Sequence, residues 1–100
     1  MAFYRANMSS GGGTLNPSVV YHAANSASGS YTIDATKKYI AIGSGKVQYA
    51  GSLTRIAYIN NGALTMLQNC SYVRITLSET TLSLRYTGTG SGEFEVIQLD

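Results

Sequence analysis

The sequence predicts an all-β domain. Short runs rich in β-branched and aromatic residues recur at intervals of about 8–12 residues, with turn-forming residues between them and no helical run. Hydrophobic residues make up 44% of the 100 residues, enough to build one core without disulfides or metals. We therefore expect a small antiparallel β-sandwich, jelly-roll or immunoglobulin-like, or a barrel, with an extended N-terminal arm.

Nine strand-like runs are separated by clusters of glycine, serine and asparagine. The runs are 19–23, 30–33, 38–42, 46–50, 54–60, 63–67, 72–77, 81–87 and 93–99. The turns are predicted at 43–45, 51–52, 60–62 and 88–92. Strands this short, joined by turns this tight, are typical of antiparallel sheets.

The clearest hairpin signal lies between two alternating runs. Val73, Ile75 and Leu77 alternate with polar residues, which places them on one face of a strand. The run 81–87 repeats this pattern with Leu82, Leu84 and Tyr86. We expect the two runs to pair across a turn at 78–80.

The run 38–42 is apolar on both faces, which predicts a central strand or one covered by a second layer. The residues that follow it, 43–46, resemble the end of a phosphate-binding loop. Ile40 and Val47 occupy the positions where that motif needs Gly and Ser or Thr. We therefore interpret 43–45 as a hairpin turn.

The first 17 residues differ in composition from the rest, and we divide the chain into an arm with a glycine-rich hinge (1–17) and one β-sandwich domain (18–100). The arm carries large apolar side chains that are costly to leave in water. Asn16-Pro17 ends it, because proline biases the preceding residue toward extended geometry. The candidate assembly residues are Phe3, Tyr4, Arg5 and Met8, and the hinge residues are Gly11, Gly12 and Gly13.

Residues that carry chemistry are scarce, and we predict no enzyme, no catalytic, metal-binding or cofactor-binding residue, and no cofactor. His22 is the single histidine, so a two-histidine metal motif is excluded, and we interpret it as a strand residue with a satisfied ring nitrogen. Glu93 and Glu95 share one strand face, which indicates a solvated surface. Cys70 is the single cysteine and is expected to be a small buried apolar residue.

The charge pattern limits the partners. The net charge is +2, charged residues make up 12% of the chain, and Lys and Arg are dispersed, which argues against nucleic acid as a partner. No apolar run approaches the roughly 18 residues of a membrane span, and no signal peptide is recognised. We therefore expect no membrane partner and synthesis in a cytoplasm. The eight tyrosines and the abundant Ser, Thr and Asn favour a surface that neighbours cover.

The opening MAFYRANMSSGGG, followed by a β-rich body with Tyr39-Ile40-Ala41-Ile42-Gly43, resembles small virion proteins of tailed bacteriophages and prophages. The resemblance covers the first 13 residues and the strand rhythm. It implies a compact β-sandwich in a tail, baseplate or head-decoration role, located in the virion after synthesis in the host cytoplasm. The partners would be other virion proteins, copies of the same chain and, in one variant, a host-surface glycan.

Two other functions fit parts of the sequence. A carbohydrate-binding module would use Tyr49, Tyr58 and Tyr86 as a surface aromatic platform, although the chain has no Trp, the largest such platform. An oligonucleotide-binding barrel would stack bases on tyrosines next to Lys and Arg, and the low net charge argues against it.

Overall fold

A computed structural model of the chain describes residues 16–47, 51–88 and 90–100. These residues form eight β-strands and no helix. The strands are β1 (Ser18–Ser26), β2 (Ser28–Thr32), β3 (Tyr39–Val47), β4 (Gly51–Asn60), β5 (Ala63–Gln68), β6 (Val73–Ser78), β7 (Thr81–Tyr86) and β8 (Gly92–Gln98). The all-β prediction is confirmed. Residues 1–15 of the predicted arm and hinge (1–17) lie outside the described residues.

Two antiparallel sheets enclose the core. The larger sheet has the strand order β1-β8-β3-β4-β5, and the smaller has the order β2-β7-β6. Alternate side chains of both sheets point into one apolar layer, as in a sandwich. The completely or almost completely buried side chains include Tyr39, Phe94, Ile59, Leu82, Leu84, Val73 and Val96. Because the sheets stay separate, the fold is a sandwich and not a closed barrel.

Two hairpins confirm the turns predicted from sequence. Asn61 and Gly62 join β4 to β5, and both have positive φ, 53° and 70°, as the preferred two-residue hairpin turn requires. β6 and β7 pair across 79–80, with Glu79 in the left-handed region at φ 55°. The expected alternation is also observed, since Val73, Ile75, Leu82, Leu84 and Tyr86 are all buried.

The predicted turn at 51–52 is wrong, because these residues begin β4 and pair with β3. The predicted turn at 43–45 is wrong too. β3 runs without a break through these residues and pairs with β8 on one side and β4 on the other, so the central position expected for 38–42 is confirmed. Gly43 and Gly45 point inward, where side chains of the opposite sheet come close. Glycine therefore serves here to admit a neighbour and not to turn the chain.

Both ends of the described chain join the larger sheet at one place. Asn16 donates its N–H to the Leu99 carbonyl (2.9 Å), and Leu99 donates to the Lys38 carbonyl (2.8 Å). The chain passes from the larger to the smaller sheet at Ala27, whose carbonyl accepts the Tyr86 N–H. The described chain therefore begins at the β1 edge of the larger sheet.

Candidate functional site

The candidate assembly residues Phe3, Tyr4, Arg5 and Met8 and the hinge residues Gly11, Gly12 and Gly13 lie outside the described residues. Tyr49 lies outside them too. Tyr58 lies on the outer face of β4 and is half-buried. The remaining candidate, Tyr86, is 4% exposed.

The burial of Tyr86 corrects the prediction that it is part of a surface platform. Its ring lies over Gly45 and Gly92, which are cross-strand partners in β3 and β8, and beside Gly88. A Cβ atom at Gly92 would stand 2.7 Å from the Tyr86 Cβ, so only glycine leaves room for the side chain. The ring fills space in the core and offers no face to a sugar.

A tyrosine cluster that the sequence did not reveal joins three strands. The ring of Tyr31 lies 6.1 Å from that of Tyr21 and 6.1 Å from that of Tyr39, centroid to centroid. Burial raises the pKa of the Tyr31 phenol, and the neighbouring Tyr39 and Asp34 raise it further. The Tyr39 hydroxyl accepts the Asp34 N–H at 2.8 Å. No sequence signal links these tyrosines, because the sheet order brings them together.

His22 and Glu93 form an exposed pair on the outer face of the larger sheet. His22 Nε2 lies 2.7 Å from Glu93 Oε2. Glu95, the cross-strand partner of His22, lies on the same face. The interpretation of His22 as a strand residue with a satisfied ring nitrogen is confirmed.

The outer face of the larger sheet carries an apolar row that crosses four adjacent strands. Cross-strand pairing places Val19, Ile97, Ile40 and Tyr58 side by side, and we call these four residues the outer row. Val19 is 56% exposed, whereas Ile97 between its neighbours is 6% exposed. None of the four belongs to the core cluster between the sheets. The row is thus a second apolar surface on the far side of the sheet.

The outer face of the smaller sheet differs in character. Arg74 and Arg85 are direct cross-strand partners, and Thr76 faces Ser83 in the same way. All four side chains are exposed. Like charges directly opposite each other destabilise a sheet, and water and salt weaken this repulsion. The face is therefore suited to contact with water.

Four strand edges are open in the described part of the chain, those of β1 and β5 in the larger sheet and of β2 and β6 in the smaller. β5 and β6 approach each other on one side of the sandwich. Leu64 and Met66 of β5 and Leu77 of β6 pack against the core there but remain partly exposed. We call these three residues the open margin.

Arg55 of β4 binds the loop at Cys70. Its Nη2 donates to the Cys70 carbonyl at 2.7 Å, and its Nε is buried without a hydrogen-bond partner among the described residues. Cys70 is only partly buried and packs against the core, so the expected burial is incomplete. The charge of Arg55 is used to hold the loop that precedes β6.

Among the described residues, no group of three or more His, Cys, Asp and Glu side chains is placed to hold a metal ion. That same part of the chain has no helix long and apolar enough to cross a membrane. Comparisons with protein-family models, with curated proteins and with solved structures found no match to the chain.

Proposed function

We propose that this chain is a non-enzymatic structural or attachment subunit of a bacteriophage virion, either a capsid decoration or a tail or baseplate accessory protein. In this proposal it assembles through contacts with copies of itself and with other virion proteins. The observation that carries the assembly role is the contrast between the two outer faces of the sandwich. The virion setting comes from the resemblance of residues 1–13 and of the strand rhythm to small phage proteins.

The outer row is arranged for contact with a further layer. When one face of an antiparallel sheet packs on the core and the other meets only water, apolar and polar residues normally alternate along each strand. The smaller sheet follows this pattern. The larger sheet instead places Val19, Ile97, Ile40 and Tyr58 in one line across its strands. Covering such side chains contributes about 25 cal/mol per Å² of apolar surface removed from water. A neighbouring copy laid against the row would gain this contribution at Val19, Ile40 and Tyr58, which keep exposed surface, while Ile97 is already buried.

The composition supports the same conclusion. Only 12% of the residues are charged, so few charges need to be desolvated when a neighbour covers the surface. The polar corner formed by His22, Glu93 and Glu95 borders the outer row and would set the orientation of the partner. A polar rim beside an apolar centre is the usual anatomy of a protein interface.

The carbohydrate-binding alternative is weakened by the structure. Of its three platform tyrosines, Tyr86 is buried and Tyr58 lies half-buried within the outer row. A glycan array that shows selective binding, abolished by Tyr58→Ala, would favour this alternative over assembly. Titration with single-stranded DNA at several salt concentrations tests the oligonucleotide-binding barrel, and binding that weakens as the salt concentration rises would favour it.

Analytical ultracentrifugation of the full chain across a wide concentration range tests the proposal. We expect self-association that is weakened at least tenfold by Val19→Lys combined with Tyr58→Lys. The matched control is Thr76→Lys combined with Ser83→Lys on the polar outer face, which should associate like the unmodified chain. A chain that stays monomeric throughout, or one that the two pairs affect equally, would contradict the proposal.

A further inference from the structure

β5 is an edge strand without the usual protection against pairing with another chain. Its sequence, ALTMLQ, contains no charged residue and no proline, the residues that natural edge strands use to repel a partner. The other edges are less suited. β1 is interrupted by two register shifts, whereas β5 has one, close to its end, where Met66 and Gln68 pair with adjacent residues of β4. β2 has five residues including Gly29, and β6 carries Arg74.

The hairpin that begins β5 decides which backbone groups face outward. Asn60 and Ala63 close a two-residue turn and exchange hydrogen bonds, as do Tyr58 and Thr65 further along the ladder. The alternation of an antiparallel ladder then directs the N–H and C=O groups of Leu64 and Met66 away from β4. No strand of the described residues pairs with β5 on that side. These groups form a ready template for one more strand.

The open margin gives such a strand an apolar surface to cover. Leu64 and Met66 pack against the core from β5, and Leu77 does so from β6, yet all three remain partly exposed. A strand added beside β5 would direct every second side chain into this margin, because side chains alternate across a strand. The margin therefore selects a segment with apolar residues at alternate positions.

The segment before Asn16 has this pattern. Tyr4, Ala6 and Met8 alternate with Phe3, Arg5 and Asn7, so one face of an extended 3–8 segment is apolar. The described chain begins at Asn16 beside β1, which is the opposite edge of the same sheet. A strand added on the far side of β5 would lie five strand spacings of about 4.8 Å from β1, roughly 24 Å away. The seven connecting residues 9–15 reach about 23–25 Å when fully extended, so folding onto their own β5 would use nearly all of that length.

We infer that residues 3–8 of one copy pair with β5 of a second copy, adding a strand to its larger sheet and covering its open margin. This inference rests on the proposed assembly function and names the acceptor for the arm. The donor edge and the acceptor edge are different surfaces of one molecule, so the contact is head-to-tail. Contacts of this kind produce rings when the rotation closes and filaments when it does not.

Two variants that complement each other test the inference. The acceptor-blocked variant carries Thr65→Lys and Leu67→Lys on β5, at exposed positions, and keeps the arm. The arm-deleted variant lacks residues 1–13 and keeps β5. The matched control carries Ser30→Lys and Thr32→Lys, two exposed positions on the edge strand β2. Circular dichroism and thermal unfolding establish that each variant is folded, and Tyr4→Lys with Met8→Lys replaces the deletion if the shortened chain does not fold.

Head-to-tail pairing makes a specific prediction for ultracentrifugation. Each of the two variants alone should associate at least tenfold more weakly than the unmodified chain, while a mixture of them should form a one-to-one dimer. The β2 control should behave like the unmodified chain. If the mixture forms no dimer, or if the acceptor-blocked variant associates normally, the assignment of β5 is wrong. Association that depends on the outer row but not on β5 would refute this inference and leave the proposed function standing.

Crosslinking separates pairing between copies from pairing within one copy. In a Cys70→Ser background, Ala6→Cys and Thr65→Cys place one thiol on the arm and one on β5. A short bifunctional maleimide should give covalent dimers and larger species. Crosslinked monomer as the main product would show that the arm folds onto its own body, which overturns the inference.

Discussion

Gly45→Ala is the substitution whose cost can be worked out most directly. Gly45 lies in the central strand β3 and points into the sandwich beneath the ring of Tyr86. A Cβ atom built there would stand 2.5 Å from Tyr86 Cδ1 and closer still to two other ring atoms. Ordinary contacts of this kind begin at 3.4 Å, and two ring atoms are closer than Cδ1, so the ring would have to move by more than 0.9 Å.

The ring of Tyr86 has little room for that movement. Gly92 and Gly88 also lie against this side chain, so closely that an added Cβ atom at either would clash with it, and the side chain is 4% exposed. Overpacking a core that cannot shift costs about 1–3 kcal/mol. We expect Gly45→Ala to fall in the upper half of this range.

Denaturant unfolding monitored by circular dichroism measures this cost as a change in midpoint at constant slope. The control is Ser44→Ala, the neighbouring residue, which points to the outer face and should change stability by less than about 0.5 kcal/mol. The same Gly45→Ala change in a Tyr86→Leu background should cost less, with a coupling of about 0.5–3 kcal/mol. A cost equal to that of the control, or an unchanged cost in the Tyr86→Leu background, would refute the steric explanation.

Three further predictions concern single residues. Arg74→Glu should raise the unfolding free energy by about 0.2–1 kcal/mol, because it replaces a like-charged cross-strand pair with Arg85 by an opposite-charged one; unchanged or lower stability at low salt would contradict this. Gly62→Ala should lower stability by about 1 kcal/mol, since φ is +70° there, and equal midpoints for the two chains would show that the turn tolerates a side chain. Thr36 donates its hydroxyl and its backbone N–H to Asp34, and these hydrogen bonds, with a smaller contribution from Lys37, hold the pKa of that carboxyl below its ordinary value of 3.8. The ionised form is therefore favoured in the folded state, so its stabilisation is present above about pH 4 and is lost as the pH falls through the lowered pKa. The difference in melting temperature between the unmodified chain and Asp34→Ala should shrink on acidification, and a difference that grows would reverse the sign.

The sequence predicted most of the strands because their signals are local. Alternation of apolar and polar residues in 72–77 and 81–87 depends only on which face of a strand meets water, and it identified β6, β7 and the hairpin between them. Asn61-Gly62 identified the β4–β5 turn because few other residues adopt positive φ at low cost. These features are determined by residues close together in the chain.

The glycines of β3 show that a local sequence signal can be overridden by packing with distant residues. Glycine, serine and glycine in succession favour a turn, yet here they continue a central strand. Their role depends on Val73 and Tyr86, side chains roughly thirty to forty positions further along the chain, which approach from the other sheet. The same side chain, Tyr86, was expected at the surface and is buried for the same reason.

Some features of the candidate docking surfaces follow from the sequence, and others follow only from the fold. The apolar arm, the low charge and the absence of a catalytic motif can be read from the sequence, because composition and short motifs require no knowledge of neighbours in space. The outer row and the open margin exist only through the strand order β1-β8-β3-β4-β5 and the position of β6 over it. Val19, Ile40, Tyr58 and Ile97 are distant in sequence, and long-range pairing alone makes them neighbours. Local alternation determines which face a side chain occupies on its own strand, whereas packing between distant segments determines what lies beside it.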